Sequence, residues 1–237
     1  MGLVWMLLLS CTQDKPKIDY TESVDTSSVV DDRMKDTTKI VVSELPIKFD
    51  STDYLLFAIG MIDLQERNGY SKIGLGSYGS SSNGSYSYFN NDQLFGDFIN
   101  IVFQDKDGNE RKLTDRKLSI NSVSFLRDIF ERTKNGYLLY RVSDRDSNRD
   151  GKLNDSDLEA LYISKIDGSD FKKITRELHE LYDWNLIKPD NKIFFRTLED
   201  SNKDGDLNNK DTFHYYYIEF SGNQYIVKEH DPLKVLK

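Results

Sequence analysis

The sequence has one cysteine, Cys11, so no intrachain disulfide can staple its fold. Its three histidines, His179, His214 and His230, are scattered along the chain. That scatter argues against a His-rich zinc site, and each is expected to be a surface or sheet histidine. Four prolines and 14 glycines in 237 residues exclude collagen-like and proline-rich classes. Basic residues are outnumbered, 32 Lys+Arg against 40 Asp+Glu, giving a formal charge of −8. Without a phosphate-neutralising excess, a nucleic-acid partner is not expected. No His-Glu-x-x-His, Gly-x-Ser-x-Gly or Cys-x-x-Cys motif occurs, and none of the acids is singled out as a glycosidase pair. What the chain does have is 14 Tyr and 13 Phe, enough aromatic bulk for a core despite only 38% apolar residues.

Residues Gly2 to Leu9 form an unbroken apolar run that ends at Ser10-Cys11. The run is too short to cross a bilayer, which takes ~20 apolar residues, but it suits the core of a signal peptide, although no basic start precedes it. Thr12 to Thr38 is polar and charged, with Asp14, Lys15, Asp25, Asp31, Asp32 and Lys35. It has too little apolar content to fold alone, so residues 11–38 read as a disordered tether. Leu8-Leu9-Ser10-Cys11 resembles the bacterial lipoprotein box, in which a small residue precedes the cysteine that becomes acylated. The resemblance implies that residues 1–10 are a signal peptide removed before Cys11, and that lipid on Cys11 anchors the chain in the cell envelope, as in lipoproteins of Bacteroidota. Several acyl chains hold a protein stably, whereas one binds only marginally.

From Lys39 onward the pattern is that of strands. Lys39–Val42, Tyr54–Ile59, Phe98–Phe103, Tyr137–Val142, Ala160–Ile163, Lys192–Arg196 and Phe213–Phe220 are short runs of aliphatic and aromatic residues. One short helix is expected within Ser124–Thr133, where Phe125, Ile129 and Phe130 have helical spacing. Asn68–Ser87 is a Gly/Ser/Tyr-rich insertion. Its Gly74-Leu75-Gly76-Ser77-Tyr78-Gly79 formally matches a dinucleotide fingerprint, but the Ser80–Gly84 that follows cannot open the helix such a site needs, so it reads as a loop.

Two segments repeat. Tyr140–Leu153 and Phe195–Leu207 share an Asp-Ser-Asn-basic-Asp-Gly core, with 54 residues separating Gly151 from Gly205. Asp107-Gly108 and Asp167-Gly168 are 60 apart, each followed by a basic stretch ending in Leu-Thr or Ile-Thr, and Ser221-Gly222 lies 54 residues after Gly168. A period near ~50 with several strands per unit points to propeller-type blades. Leu161–Thr175 resembles a blade of TolB-like propellers, which run strand, Asp-Gly-Ser turn and basic strand. The expected fold is therefore all-β and β-propeller-like, over residues 39–237, with about three visible four-stranded antiparallel units. Either the sheets stack openly, or Ile40–Phe49 completes the last unit. Tyr182 and Trp184 are expected to pack between blades.

The strongest chemical pattern lies in Asp146–Asp157 and Asp200–Asp211. Oxygen side chains occupy loop positions 1, 3, 5, 9 and 12, with glycine at 6. This resembles the EF-hand calcium loop, because Ca2+ takes six to eight oxygens and alternate residues of a tight loop can bring them to one centre. The resemblance implies Asp146, Asn148, Asp150, Asn154 and Asp157 as ligands of one ion, with the Lys152 carbonyl. Asp200, Asn202, Asp204, Asn208 and Asp211 would hold a second, with the Asp206 carbonyl. Position 12 is aspartate rather than glutamate, which implies weaker binding, and the flanks are strands, as in integrin-type propellers. Asp105–Gly108 reads as a plain turn, and Asp144 as a solvated or accessory acid. The expected protein is a non-enzymatic envelope lipoprotein with two structural Ca2+ ions, partnered by the membrane through its lipid and by an envelope protein or glycan. The alternatives are a surface hydrolase with its site on the propeller rim and a helical EF-hand sensor.

The lipid expectation is directly testable. Cys11→Ala in the full-length precursor should abolish incorporation of labelled fatty acid and release the protein from the membrane fraction. Retention of both label and membrane binding would end the anchoring hypothesis.

Overall fold

The computed structural model describes residues 16–20, 39–63, 88–90 and 92–236. The expected signal peptide, Cys11 and the Asn68–Ser87 insertion lie outside the described residues. Every strand pair is antiparallel, and helix is confined to α1 and two short 3-10 turns among the described residues, so the all-β expectation stands and the helical EF-hand alternative does not.

Three units follow one another. The first contains β1 (Lys39–Ser43), β2 (Leu55–Asp63), the short β3 (Tyr88–Asn90), β4 (Gln93–Gln104) and β5 (Glu110–Lys112). The second is the meander β6 (Ser119–Phe125), β7 (Tyr137–Ser143), β8 (Glu159–Lys165) and β9 (Lys172–Lys173), with helix α1 (Arg127–Thr133) between β6 and β7. The third is the meander β10 (His179–Ile187), β11 (Lys192–Glu199), β12 (Thr212–Ser221) and β13 (Gln224–Glu229). Ile40–Phe49 does not complete the last unit. Its strand β1 pairs with β2, and Ile47 exchanges two backbone hydrogen bonds of 2.9 Å with Leu56, so the segment opens the first unit.

The first two units are not separate blades. The long β4 pairs with β2 and β3 along one edge and divides its other edge between β5 and β6, which joins both units into one nine-stranded sheet. Bulges interrupt the register at Ile59/Gly60, Phe95/Phe98 and Ile120/Ser122, where the sheet can turn sharply. The two halves close on each other: a Cβ on Gly168, in the β8–β9 turn, would sit 2.5 Å from the Phe103 ring on β4. Glycine is required there twice over, because its φ is +78°.

The second unit is buried on both faces. Leu138, Tyr140, Val142, Ala160 and Tyr162 belong to one core, shared with β2, β4 and β6. Their neighbours Tyr137, Leu139, Leu161 and Ile163 belong to another, shared with Leu181, Ile193, Phe195, Tyr216, Ile218 and Phe220 of the third unit. Strands wet on neither face read as near-continuous apolar runs, as Tyr137–Val142 and Leu158–Ile163 do, each broken once by a member of the Arg141–Glu159 pair. β12 alternates instead, with Tyr216, Ile218 and Phe220 buried and their neighbours partly exposed.

α1 is shorter than expected because Phe125 closes β6. Only Ile129 is buried, no side chain caps the N-terminus, and Lys134 ends the helix in the left-handed conformation. Tyr182 corrects another expectation. The register shift between Leu181 and Asp183 turns it outward, where it is 52% exposed and stacks edge-on against Phe213 beneath Arg196. Trp184 does pack against the second core.

Pro16–Tyr20, inside the expected tether, is an ordered strap across the β7–β8 and β11–β12 connections. Ile18 N–H donates to the Gly205 carbonyl (3.0 Å), Asp19 N–H donates to the Ser147 carbonyl (2.8 Å), and Ser147 Oγ donates to the Lys17 carbonyl (2.8 Å). Ile18 is buried beneath it.

Two stability predictions follow. Leu161→Ala, at the centre of the doubly buried layer, should cost ~2–5 kcal/mol in urea unfolding, whereas Ile226→Ala on the half-exposed β13 should cost under ~0.5 kcal/mol. A cost below ~1 kcal/mol at Leu161 would contradict packing on both faces. Gly205→Ala places a Cβ 2.6 Å from the Ile18 carbonyl oxygen at φ +86°, so it should destabilise both by strain and by displacing the strap. Deleting residues 1–20 should reduce that penalty, and an undiminished penalty would mean the strap is not what the methyl group meets.

Candidate functional site

The residues singled out as ligands lie in the β7–β8 and β11–β12 connections, which occupy equivalent places in their units. The two loops share most of their side-chain bonds to the backbone, although Asp146 Oδ1 also accepts the Asp150 N–H at 3.1 Å and Asp200 Oδ1 has no such donor. Asp146 Oδ2 accepts the Gly151 N–H at 2.8 Å, and Asp200 Oδ2 accepts the Gly205 N–H at 2.8 Å. Asn148 and Asn202 accept the N–H two residues on, from Asp150 (2.9 Å) and Asp204 (3.0 Å). Asp150 and Asp204 do the same for Lys152 (2.8 Å) and Asp206 (3.0 Å). The closing aspartates reach back: Asp157 accepts from Ser147 (2.8 Å) and Asn154 (3.0 Å), and Asp211 from Ser201 (3.2 Å) and Asn208 (2.7 Å). Arg149 and Lys203 share φ near +58°, and Gly151 and Gly205 lie at +82° and +86°.

These bonds follow from residue type. Asp and Asn side chains accept backbone N–H groups close by in the chain, which curls the loop and turns its side-chain oxygens inward. Gly151 and Gly205 supply the left-handed conformation at no steric cost. Leu153, fully buried, pins the first loop to the core.

Burial raises the electrostatic cost. Asp157 is 1% exposed and Asp200 3%. Burial, with the Asp146 charge beside it, pushes Asp157 up to about 6 against the pull of its backbone donors. Oδ1 of Asp200 is buried and has no hydrogen-bond partner. Nearby, burial and then the Asp200 charge push the Tyr20 phenol up to about 12. The oxygen-rich donor set and the orphaned Asp200 oxygen both fit a hard cation, since an unpaired buried carboxylate oxygen is costly. Lys17 pairs with Asp206 at 3.4 Å, but both side chains are largely exposed, so the pair does little for the buried oxygens.

Asp144 is not a solvated acid. Its side chain is 8% exposed and accepts from the Tyr162 hydroxyl (2.6 Å) and from Lys173 (3.0 Å), with Arg116 at 3.5 Å. Burial opposes its ionisation, but these partners outweigh burial and hold it below the usual carboxylate range. Asp105–Gly108 is the plain turn expected: Asp105 Oδ1 accepts the Asp107 and Asn109 N–H groups at 2.9 Å.

Two groupings had no mark in the sequence. Burial pushes Glu180 up to about 8, although its Oε2 accepts the Glu159 N–H at 2.7 Å. Glu159 itself is held by Arg141 and by Asn121 at 2.9 Å. His179 on β10 and His214 on β12 are sheet histidines, as expected, yet the sheet brings them together. His179 and His214 lie 4.9 Å apart, ring centre to ring centre, and Glu199 joins them. Cross-strand register creates this group, and only the pairing of β10, β11 and β12 reveals it.

No protein-family model matches this sequence, and no curated protein matches it. Among solved structures, a chain from Agrobacterium tumefaciens described as TolB is similar at 12% identity over 78% of this chain and 80% of that one, with a TM-score of 0.23.

Proposed function

We propose that the protein is an envelope lipoprotein whose β-propeller-like domain binds two Ca2+ ions in the Asp146–Asp157 and Asp200–Asp211 loops and serves as a binding module rather than an enzyme. The observation that carries the calcium reading is the orphaned Oδ1 of buried Asp200, in a loop whose twin repeats most of its side-chain bonds to the backbone but gives the equivalent Asp146 Oδ1 the Asp150 N–H. A plain Asx turn needs no such atom, because a turn is satisfied once its N–H groups are bonded.

In this reading Asp146, Asn148, Asp150, Asn154 and Asp157 hold one ion with the Lys152 carbonyl. Asp200, Asn202, Asp204, Asn208 and Asp211 hold the other with the Asp206 carbonyl. Each carboxylate oxygen that accepts one N–H keeps a second lone pair for the metal. The ion offsets most of the charge of the three aspartates in each loop and fixes each hairpin on the strap that crosses both. Lipid on Cys11 would hold the domain at the membrane, presenting it to an envelope protein or glycan.

Binding restricted to the folded state stabilises by RT ln(1 + [L]/Kd). With Kd on the order of 10⁻⁴–10⁻³ M, as in extracellular modules, millimolar Ca2+ should contribute about 1–3 kcal/mol over two loops. The melting temperature should then rise by roughly 3–10 °C and fall back with EDTA. Asp150→Ala should remove about half the rise, and Asp150→Ala with Asp204→Ala nearly all of it. Equal melting temperatures in Ca2+ and EDTA, with no binding heat on titration, would reduce both loops to turns.

A further inference from the structure

The inward face of the third unit carries a second set of metal-ligating side chains, different in chemistry from the loops. His179 on β10 is opposite Glu199 on β11, and His214 on β12 is opposite Thr197 on β11. Directly paired residues share a face, as do residues two apart on one strand, so all four project to the same side. His179, Glu199 and His214 each offer one ligand atom within 4.8 Å of the other two. His214 Nε2 lies 2.7 Å from Glu199 Oε2. Thr197 Oγ1 engages His179 Nδ1 at 3.0 Å, which leaves Nε2 as the atom free to ligate.

We propose that His179, Glu199 and His214 form a three-ligand site for a borderline divalent transition metal, Zn2+ in the first instance, with a fourth position open to water. Two imidazoles and one carboxylate suit such an ion, whereas Ca2+ selects oxygen alone. Zinc bonds of ~2.0–2.1 Å in a tetrahedron separate ligand atoms by ~3.3 Å. The His214–Glu199 pair must open by about 0.6 Å and the widest pair close by at most about 1.5 Å, changes within reach of side-chain rotation. His179 is buried while the Glu199 side chain is 43% exposed, so an ion can enter from the Glu199 side and keep a water there. Thr197 is a positioning residue: fully buried, it fixes the His179 ring without touching the metal. Three adjacent strands carry the ligands, and strand-borne sites hold their geometry better than loop-borne ones.

This site does not depend on the loops binding calcium. Metal-stripped protein in excess Ca2+, which occupies any calcium site, is titrated with Zn2+ by calorimetry and with Co2+ by visible absorption. One equivalent of Zn2+ should bind, and Co2+ should give the intense absorption of a four-coordinate site. His214→Ala and Glu199→Gln should each weaken Zn2+ by more than ~100-fold, and Thr197→Val by about 10-fold, with the fold checked by circular dichroism. Should His214→Ala fail to fold, the half-exposed Glu199→Gln decides. Asp150→Ala with Asp204→Ala should leave Zn2+ binding unchanged. Absent Zn2+ heat and Co2+ absorption, unchanged affinity in Glu199→Gln, or loss of binding in the loop double variant would each overturn the site.

Discussion

Strands β7 and β8 have no face left for water, and the rest of the molecule is arranged around that constraint. Leu138, Tyr140 and Val142 must be covered on one side and Leu139, Leu161 and Ile163 on the other. At about 25 cal/mol per Å2 of apolar surface, leaving either side wet would forfeit several kcal/mol, a large part of what a domain has in hand. One cover is the folded-over half of the same sheet, reached by the bulges in β4 and β6. The other is a separate four-stranded sheet whose own outer face remains in contact with solvent. The buried Tyr140 hydroxyl in this layer is satisfied by Ser164 Oγ at 2.7 Å.

With the strands largely committed to the interior, the densest clusters of acids fall in the connections. The acids of the two units gather at one edge, where their carboxylates first satisfy the backbone that curls beneath them. The Asp146 charge is close enough to oppose ionisation of the buried Asp157, a repulsion that the apolar core cannot offset. Glu199 and Thr212 end and begin the strands that flank the second loop, which places an imidazole-bearing face directly below an oxygen-lined one.

Much of this was legible along the chain, and the parts that were not share a reason. The runs at Tyr137 and Leu158 are nearly all apolar because both faces are buried, and Gly151 and Gly205 mark loops because Asp-Gly chemistry is local. Helix α1 was legible only as to place, since Phe125 belongs equally well to a helix face or a strand end. Tyr182 pointed outward because a bulge at Leu181/Asp183 reverses the side-chain parity that the sequence pattern assumes. The pairing of His179 with Glu199 depends on strand register, which no single segment encodes. The shared edge of β4 is of the same kind: its twelve residues look like one strand, and nothing in them says that two neighbours divide it.

The strap also sets a reach. With Pro16 fixed against the loops, five positions separate it from Cys11. Five residues extend no more than ~18 Å, whereas the 28 residues of 11–38, if wholly free, would extend ~90–100 Å. Under the proposed anchoring, the domain is therefore not a float on a long leash but a body moored by its acidic edge. Both loops would face the headgroup layer at close range, where a negatively charged surface enriches the counter-ions that carboxylates also seek. The outward aromatic pair Tyr182 and Phe213, with Phe213 only two residues from Asp211, would then stand beside that surface as well, rather than at a height set by the length of a tether.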